Sequence, residues 1–120
     1  MSFMSQGKKY DPTKAQSITT ITVDLSNRAN RVSNYNLNLI HLLELFDQAI
    51  SQEFSDPDAK KEVIFSFCKT QKDNFFAYVL VPKAAVYGGV ALSYKEAKTL
   101  IERYGNAEQY ASVFDGIIEA

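Results

Sequence analysis

The chain has 120 residues, of which 46% are hydrophobic and 22% charged, a composition that fits one globular domain and excludes a wholly disordered or collagen-like chain. The formal net charge is −1, so no strong overall field draws the protein to nucleic acid or to a membrane surface. No apolar run approaches the roughly 18 residues that a membrane-spanning helix requires.

The first half of the chain predicts an arm, a strand and a helix. Residues 1–16 are polar and without periodicity, which predicts a flexible or loosely docked arm ahead of a single α+β domain at 17–120. Residues 17–25 are rich in β-branched side chains and alternate between an apolar and a polar face, as a strand does. Residues 36–54 carry apolar side chains at steps of three and four, which predicts a helix.

The second half predicts a hairpin followed by helices. Residues 62–69 and 75–81 read as two strands joined by a short polar connection, and therefore as an antiparallel hairpin. Residues 84–92 contain two adjacent glycines and fit either a loop or a bulged extra strand. Ser93 and Glu96 form a capping box before a helix that ends at Gly105. A short helix over 106–114 and a closing strand at 117–118 complete the prediction.

This order of elements predicts a ferredoxin-like plait, which is an antiparallel sheet with its helices on one face. In a plait the first and third strands lie side by side, and the face without helices is open. The RNA-recognition motif family has this fold, and its third-strand motif resembles Phe76–Val81. Residues 21–25 and 96–106 are similar to the first strand and the second helix of that family. The resemblance implies the plait topology more than RNA binding, since Asn74 and Phe75 replace the basic residue and glycine of the motif.

The sequence contains no pattern typical of a catalytic centre, a metal site or a cofactor site, so none is expected. His41 and Cys68 are the only histidine and the only cysteine, and neither belongs to a metal-binding motif. The single cysteine excludes an intramolecular disulfide and, with an N-terminus that lacks a signal-like apolar stretch, predicts a cytoplasmic protein. Residues 88–93 precede a helix N-terminus, where a small anion or nucleotide could bind, but they match no phosphate-loop motif.

Charge is unevenly distributed along the chain, which suggests two binding functions. Residues 1–35 and 60–83 each carry a net charge of +3, whereas residues 36–59 carry −5. The first hypothesis is a non-enzymatic inhibitor, adaptor or subunit that forms homo-oligomers and contacts an unknown protein partner. Its interface residues would be Glu44, Asp47, Tyr87, Tyr94 and Tyr104. The alternative is a module for single-stranded nucleic acid, in which lysines follow the phosphates and aromatic rings stack on bases. Its binding residues would be Lys69, Lys72, Phe76, Tyr78, Arg28 and Arg31.

Overall fold

The computed structural model describes residues 2–24, 62–81, 86–116 and 119. Its strands and helices are, in chain order, β1 (Phe3–Ser5), β2 (Lys8–Tyr10), a 3-10 helix (Pro12–Lys14), β3 (Gln16–Asp24), β4 (Glu62–Lys69), β5 (Phe75–Val81), β6 (Val86–Leu92), α1 (Tyr94–Tyr104) and α2 (Ala107–Ala111). Three predictions lie outside the described residues: the helix at 36–54 with Glu44 and Asp47, the pair Arg28 and Arg31, and the strand at 117–118.

A β-hairpin forms within the segment that the sequence predicts to be a flexible arm. β1 and β2 pair antiparallel, with Ser5 opposite Lys8, so the loop consists of Gln6 and Gly7 alone. Both residues have positive φ angles, 51° and 77°, which is the type I′ geometry that matches the twist of a two-residue hairpin. The difference from the prediction has a physical reason: three-residue strands are too short to show a clear period of two in the sequence.

Four strands form one antiparallel sheet, which confirms the predicted α+β class. Their order is β3-β4-β5-β6, so each strand is a neighbour of the next one in the sequence. The predicted plait is not confirmed, because β4 lies between the first strand and the third: Phe65 of β4 pairs with Ile21 on one side and with Val79 on the other.

The ambiguous segment 84–92 contains a strand, and the two predicted helices follow it. β6 pairs along its whole length with β5, so Gly88 and Gly89 lie within the sheet. Ser93 caps α1 with the predicted box: its hydroxyl accepts from the Glu96 backbone N–H, and the Glu96 carboxylate accepts from the Ser93 backbone N–H. Gly105 ends α1 with a φ of −89°, so no left-handed conformation is needed there.

The larger hydrophobic core lies between the sheet and the helices. It consists of Ile18, Val63, Phe65, Phe67, Phe75, Ala77, Val79, Val81, Leu92, Ala97, Leu100, Ile101 and Phe114. A bulge in β3 places Ser17 opposite Cys68 and Thr19 opposite Phe67, which leaves Ile18 as the extra residue. Because of this bulge, Ile18 joins the helix-side core, although simple alternation assigns it to the other face.

A second, smaller core lies on the opposite face of the sheet, beneath the β1–β2 hairpin. Its buried members are Tyr10, Cys68, Phe76, Tyr78 and Ala91. The ring of Phe3 stacks on that of Tyr10 at 5.4 Å, and both rings lie within 5.5 Å of the Phe76 ring, centroid to centroid. The hairpin therefore covers part of the sheet face that the plait prediction leaves open.

Candidate anion-binding site

A pocket of about 490 Å³ lies where the β1–β2 hairpin meets the turn between β4 and β5. One wall comes from the hairpin and the segment after it, and the other from the turn. The lining residues are Lys8, Lys9, Tyr10, Asp11, Lys14, Ala15, Thr70, Gln71, Lys72 and Asn74. Four of them are lysines and one is an aspartate, so the pocket is strongly cationic; we call it the lysine pocket.

The hairpin supplies two lysines to the lining of the pocket, Lys8 and Lys9, both on β2. Tyr10 is only 4% exposed and anchors β2 on the sheet, while Lys8 and Lys9 are exposed. Lys8 belongs to the same face of β2 as Tyr10, and its Nζ donates to Asn74 Oδ1 across the pocket at 3.4 Å. Burial of the Tyr10 ring therefore positions the backbone of β2, from which the Lys8 side chain reaches Asn74.

Asp11 is the one acidic residue in the part of the lining that the structure describes, and it has a structural partner. Its Oδ1 accepts hydrogen bonds from the Thr13 hydroxyl at 2.6 Å and the Thr13 backbone N–H at 2.9 Å, and it caps the 3-10 helix. These two bonds hold the pKa of the Asp11 carboxyl below its ordinary value. The carboxylate serves to shape the chain before Lys14, so the excess of positive charge in the pocket persists.

The turn between β4 and β5 supplies the other wall and is held by its own hydrogen bonds. Thr70 N donates to Asn74 O, and Asn74 N donates to the Thr70 hydroxyl. Asp73 has a φ of 60°, a left-handed conformation that closes the turn. The exposed Lys72 is thereby presented at the rim of the pocket among the polar side chains of Thr70, Gln71 and Asn74.

The residues predicted for nucleic-acid binding are placed in three different environments. Lys72 lines the pocket, whereas Lys69 forms an ion pair with Asp73 at 3.1 Å. Phe76 is fully buried beneath the hairpin and Tyr78 is 9% exposed. A base could stack on Phe76 only if the hairpin moved away from the sheet. Of the predicted cations, Lys72 lines the lysine pocket and Lys69 does not, while the predicted aromatic rings of Phe76 and Tyr78 are covered.

The tyrosines predicted for a protein interface do not form one patch. Tyr87 is 41% exposed and lies on the hairpin side of the sheet, where its ring is 6.3 Å from that of Tyr78. Tyr94 is 58% exposed and lies on the helix side, against Phe75 and Phe114. Tyr104 is half-buried at the other end of α1.

The residues considered for an anion at 88–93 lack the geometry of a phosphate loop. Gly88 and Gly89 are paired with β5, and a methyl group on Gly89 would overlap the ring of Phe3. The carboxylate of Glu96 already accepts a backbone N–H at the start of α1. The protein's own negative charge therefore occupies the position that an external anion would take.

Sequence reasoning did not select Lys8, Lys9 or Lys14 for the binding site. The available signal was Gly7, because glycine is favoured at the second position of a type I′ turn, although Gln6 is not one of the residues preferred at the first position. A hairpin assigned there would have placed the lysines of β2 on a folded element.

Within the described ranges, no group of three or more histidine, cysteine, aspartate or glutamate side chains is arranged to hold a metal ion. No helix in those ranges combines the length and apolar composition needed to cross a membrane. The chain matches no family model, no curated protein and no solved structure at a significant level. The fold and the lysine pocket are therefore the basis for a proposal about function.

Proposed function

We propose that the protein is a non-enzymatic binding protein that holds single-stranded nucleic acid by its phosphates in the lysine pocket. The observation that carries this proposal is that Lys8, Lys9, Lys14 and Lys72 line one cavity, where Asp11 is the one carboxylate among the described lining residues. Like charges brought together on folding repel one another, and a bound polyanion relieves that repulsion.

The shape and chemistry of the pocket favour one strand and little sequence preference. A concave site admits a flexible strand, whereas reading duplex DNA requires an element that projects into a groove. Lysines bind phosphates as point charges and place few demands on geometry. Since Tyr10, the aromatic residue among the described lining residues, is buried, the main contacts would be to the backbone, which carries no sequence information.

The experiment is a binding titration with a fluorescein-labelled oligothymidylate, followed by fluorescence anisotropy at low salt. Lys14→Ala combined with Lys72→Ala removes one charge from each wall of the pocket and should weaken binding about tenfold. Lys95→Ala combined with Lys98→Ala is the matched control, because it removes two lysines of α1, which do not line the pocket. Equal loss in both double variants, or no binding by the unaltered protein, would refute the proposal.

A protein interface is the second candidate, favoured by the exposure of Tyr87 on the sheet face. Tyrosine offers apolar area with a polar tip and is enriched in interfaces. A second copy of the chain is the partner that can be tested directly. Light scattering at high concentration should show a dimer or larger species that Tyr87→Lys dissociates and Tyr94→Lys, on the opposite face, does not. A monomeric mass for the unaltered protein would rule out self-association.

We also propose a cytoplasmic location, supported by the thiol of Cys68, which is free and buried in the smaller core.

A further inference from the structure

Among the described residues, one side-chain hydrogen bond joins the β1–β2 hairpin to the β4–β5 turn across the lysine pocket. Lys8 and Lys9 lie on the β1–β2 hairpin. Lys14 lies two residues before Gln16, which pairs with Lys69 next to the β4–β5 turn that carries Lys72. Lys8 to Asn74, at 3.4 Å, is a long hydrogen bond between exposed groups. The charge on the two walls has the same sign, so electrostatics alone favour their separation.

The rest of the hairpin is held to the sheet by a compact set of contacts. Phe3 and Tyr10 pack on Phe76, and the Ser5 hydroxyl accepts a hydrogen bond from the backbone N–H of Ala91 at 3.0 Å. A two-stranded hairpin is only marginally stable alone. The β1–β2 hairpin therefore depends on these contacts with the sheet for its stability. The hairpin is therefore an element whose position a bound ligand can influence.

We infer that a polyanion in the lysine pocket clasps the β1–β2 hairpin onto the sheet, so that ligand binding and closure of the hairpin over Phe76 and Cys68 are coupled. This inference rests on the proposed function, since the ligand is the same single strand. Phosphates between the two walls replace repulsion by attraction, and only the closed arrangement brings both walls to one ligand. The coupling is reciprocal: the ligand stabilises the closed hairpin, and closure of the hairpin raises the affinity for the ligand by the same factor.

Cys68 provides a reporter of hairpin position within the protein itself. Its side chain is 4% exposed and belongs to the same small core as Tyr10 and Phe76. It is the only cysteine in the chain, so a thiol reagent reports on this one position. Opening of the hairpin removes Tyr10 from this core and gives the reagent access to the thiol.

The first experiment measures the rate at which a thiol reagent modifies Cys68 in the full chain, with and without unlabelled oligothymidylate at saturation. A ligand that binds only the closed form slows modification in proportion to its excess over Kd, so about a 100-fold reduction is expected at 100 times Kd. A peptide nucleic acid of the same sequence, which lacks phosphates, should give no protection. Binding by anisotropy in the same samples without protection would overturn the inference and leave the proposed function standing. Absence of binding would overturn both.

Protection could also arise because the ligand suppresses unfolding of the whole protein, and urea separates the two routes. Local opening exposes little surface and depends weakly on low concentrations of urea, whereas global unfolding depends on it steeply. The inference expects a weak dependence without ligand. A dependence as steep as that of global unfolding would show that the hairpin does not open by itself and would overturn the inference.

The reciprocal experiment uses Phe3→Ala, which loosens the hairpin without changing any residue that lines the pocket. This variant should increase the modification rate of Cys68 and weaken oligothymidylate binding, although every lysine is retained. Unchanged affinity together with faster modification would show that hairpin and ligand are uncoupled.

Discussion

At the scale of single residues, one close constraint is the contact between Gly89 and Phe3. Gly89 pairs with Tyr78 in the sheet, and the ring of Phe3 occupies the space where a side chain at 89 would begin. The hairpin that packs over Gly89 therefore favours glycine at this position. The sequence could not predict this preference, because residues 3 and 89 come into contact only in the folded structure.

Gly89→Ala should destabilise the protein by about 1–3 kcal/mol, since the added methyl group forces the Phe3 ring out of place. Phe3→Leu gives the methyl group more room, so the double variant should lose less stability than the two single variants together. Urea unfolding of all four proteins measures this coupling. Losses that add within about 0.5 kcal/mol would show that the two positions do not interact.

Cys68 should make stability depend on pH in the alkaline range. Burial raises the pKa of its thiol from 9.0 to about 11, and a hydrogen bond with Ser17 opposes that rise. The folded protein holds the proton more tightly than the unfolded chain does. The thiol's contribution is therefore complete below pH 9.0 and is lost as the pH rises toward about 11.

This dependence is measured by urea unfolding across that range for the unaltered protein and for Cys68→Ala. The free energy of unfolding should fall more steeply with pH in the unaltered protein. Parallel pH profiles would show that the thiol titrates alike in the folded and unfolded states.

At the scale of elements, the sequence predicts best where local rules determine structure. The capping box at Ser93 predicted the start of α1. The alternation within residues 62–69 predicted β4, and the run at 75–81, which is apolar on both faces, predicted β5. The β1–β2 hairpin was missed because its strands are stabilised by a remote surface, the ring of Phe76. The order of strands was also missed, since pairing between distant segments leaves no local pattern.

Ser93→Ala should cost about 1 kcal/mol of stability, because the Glu96 backbone N–H loses its acceptor. Thr99→Ala is the matched control in the same helix. Thr99 is exposed and its hydroxyl donates to the carbonyl of Lys95, so replacement by the best helix former should be neutral or slightly stabilising. Thermal or urea unfolding compares the two, and equal effects would show that the cap does not stabilise α1.

At the scale of the whole molecule, the two faces of the four-stranded sheet are covered by different elements of the chain. The helices cover one face with a large core, and the hairpin covers part of the other with a small aromatic core. The sequence predicted a basic surface from the charge of residues 1–35 and 60–83. The sequence did not predict that lysines from these two segments line one cavity. That arrangement depends on the hairpin, which places Lys8 and Lys9 opposite the turn that carries Lys72. Association of the chain with itself stays a prediction.

The most direct measurement of the central claim is the salt dependence of oligothymidylate binding for the unaltered protein, the Lys14 and Lys72 double variant and the Lys95 and Lys98 double variant. Each lysine that neutralises a phosphate of a single strand adds about 0.7 to the slope of log K against log salt. The pocket variant should therefore lose about 1.4 from the slope, and the α1 variant should keep the slope of the unaltered protein. An unchanged slope in the pocket variant, or an equal loss in both, would contradict the assignment of the lysine pocket as the phosphate-binding site.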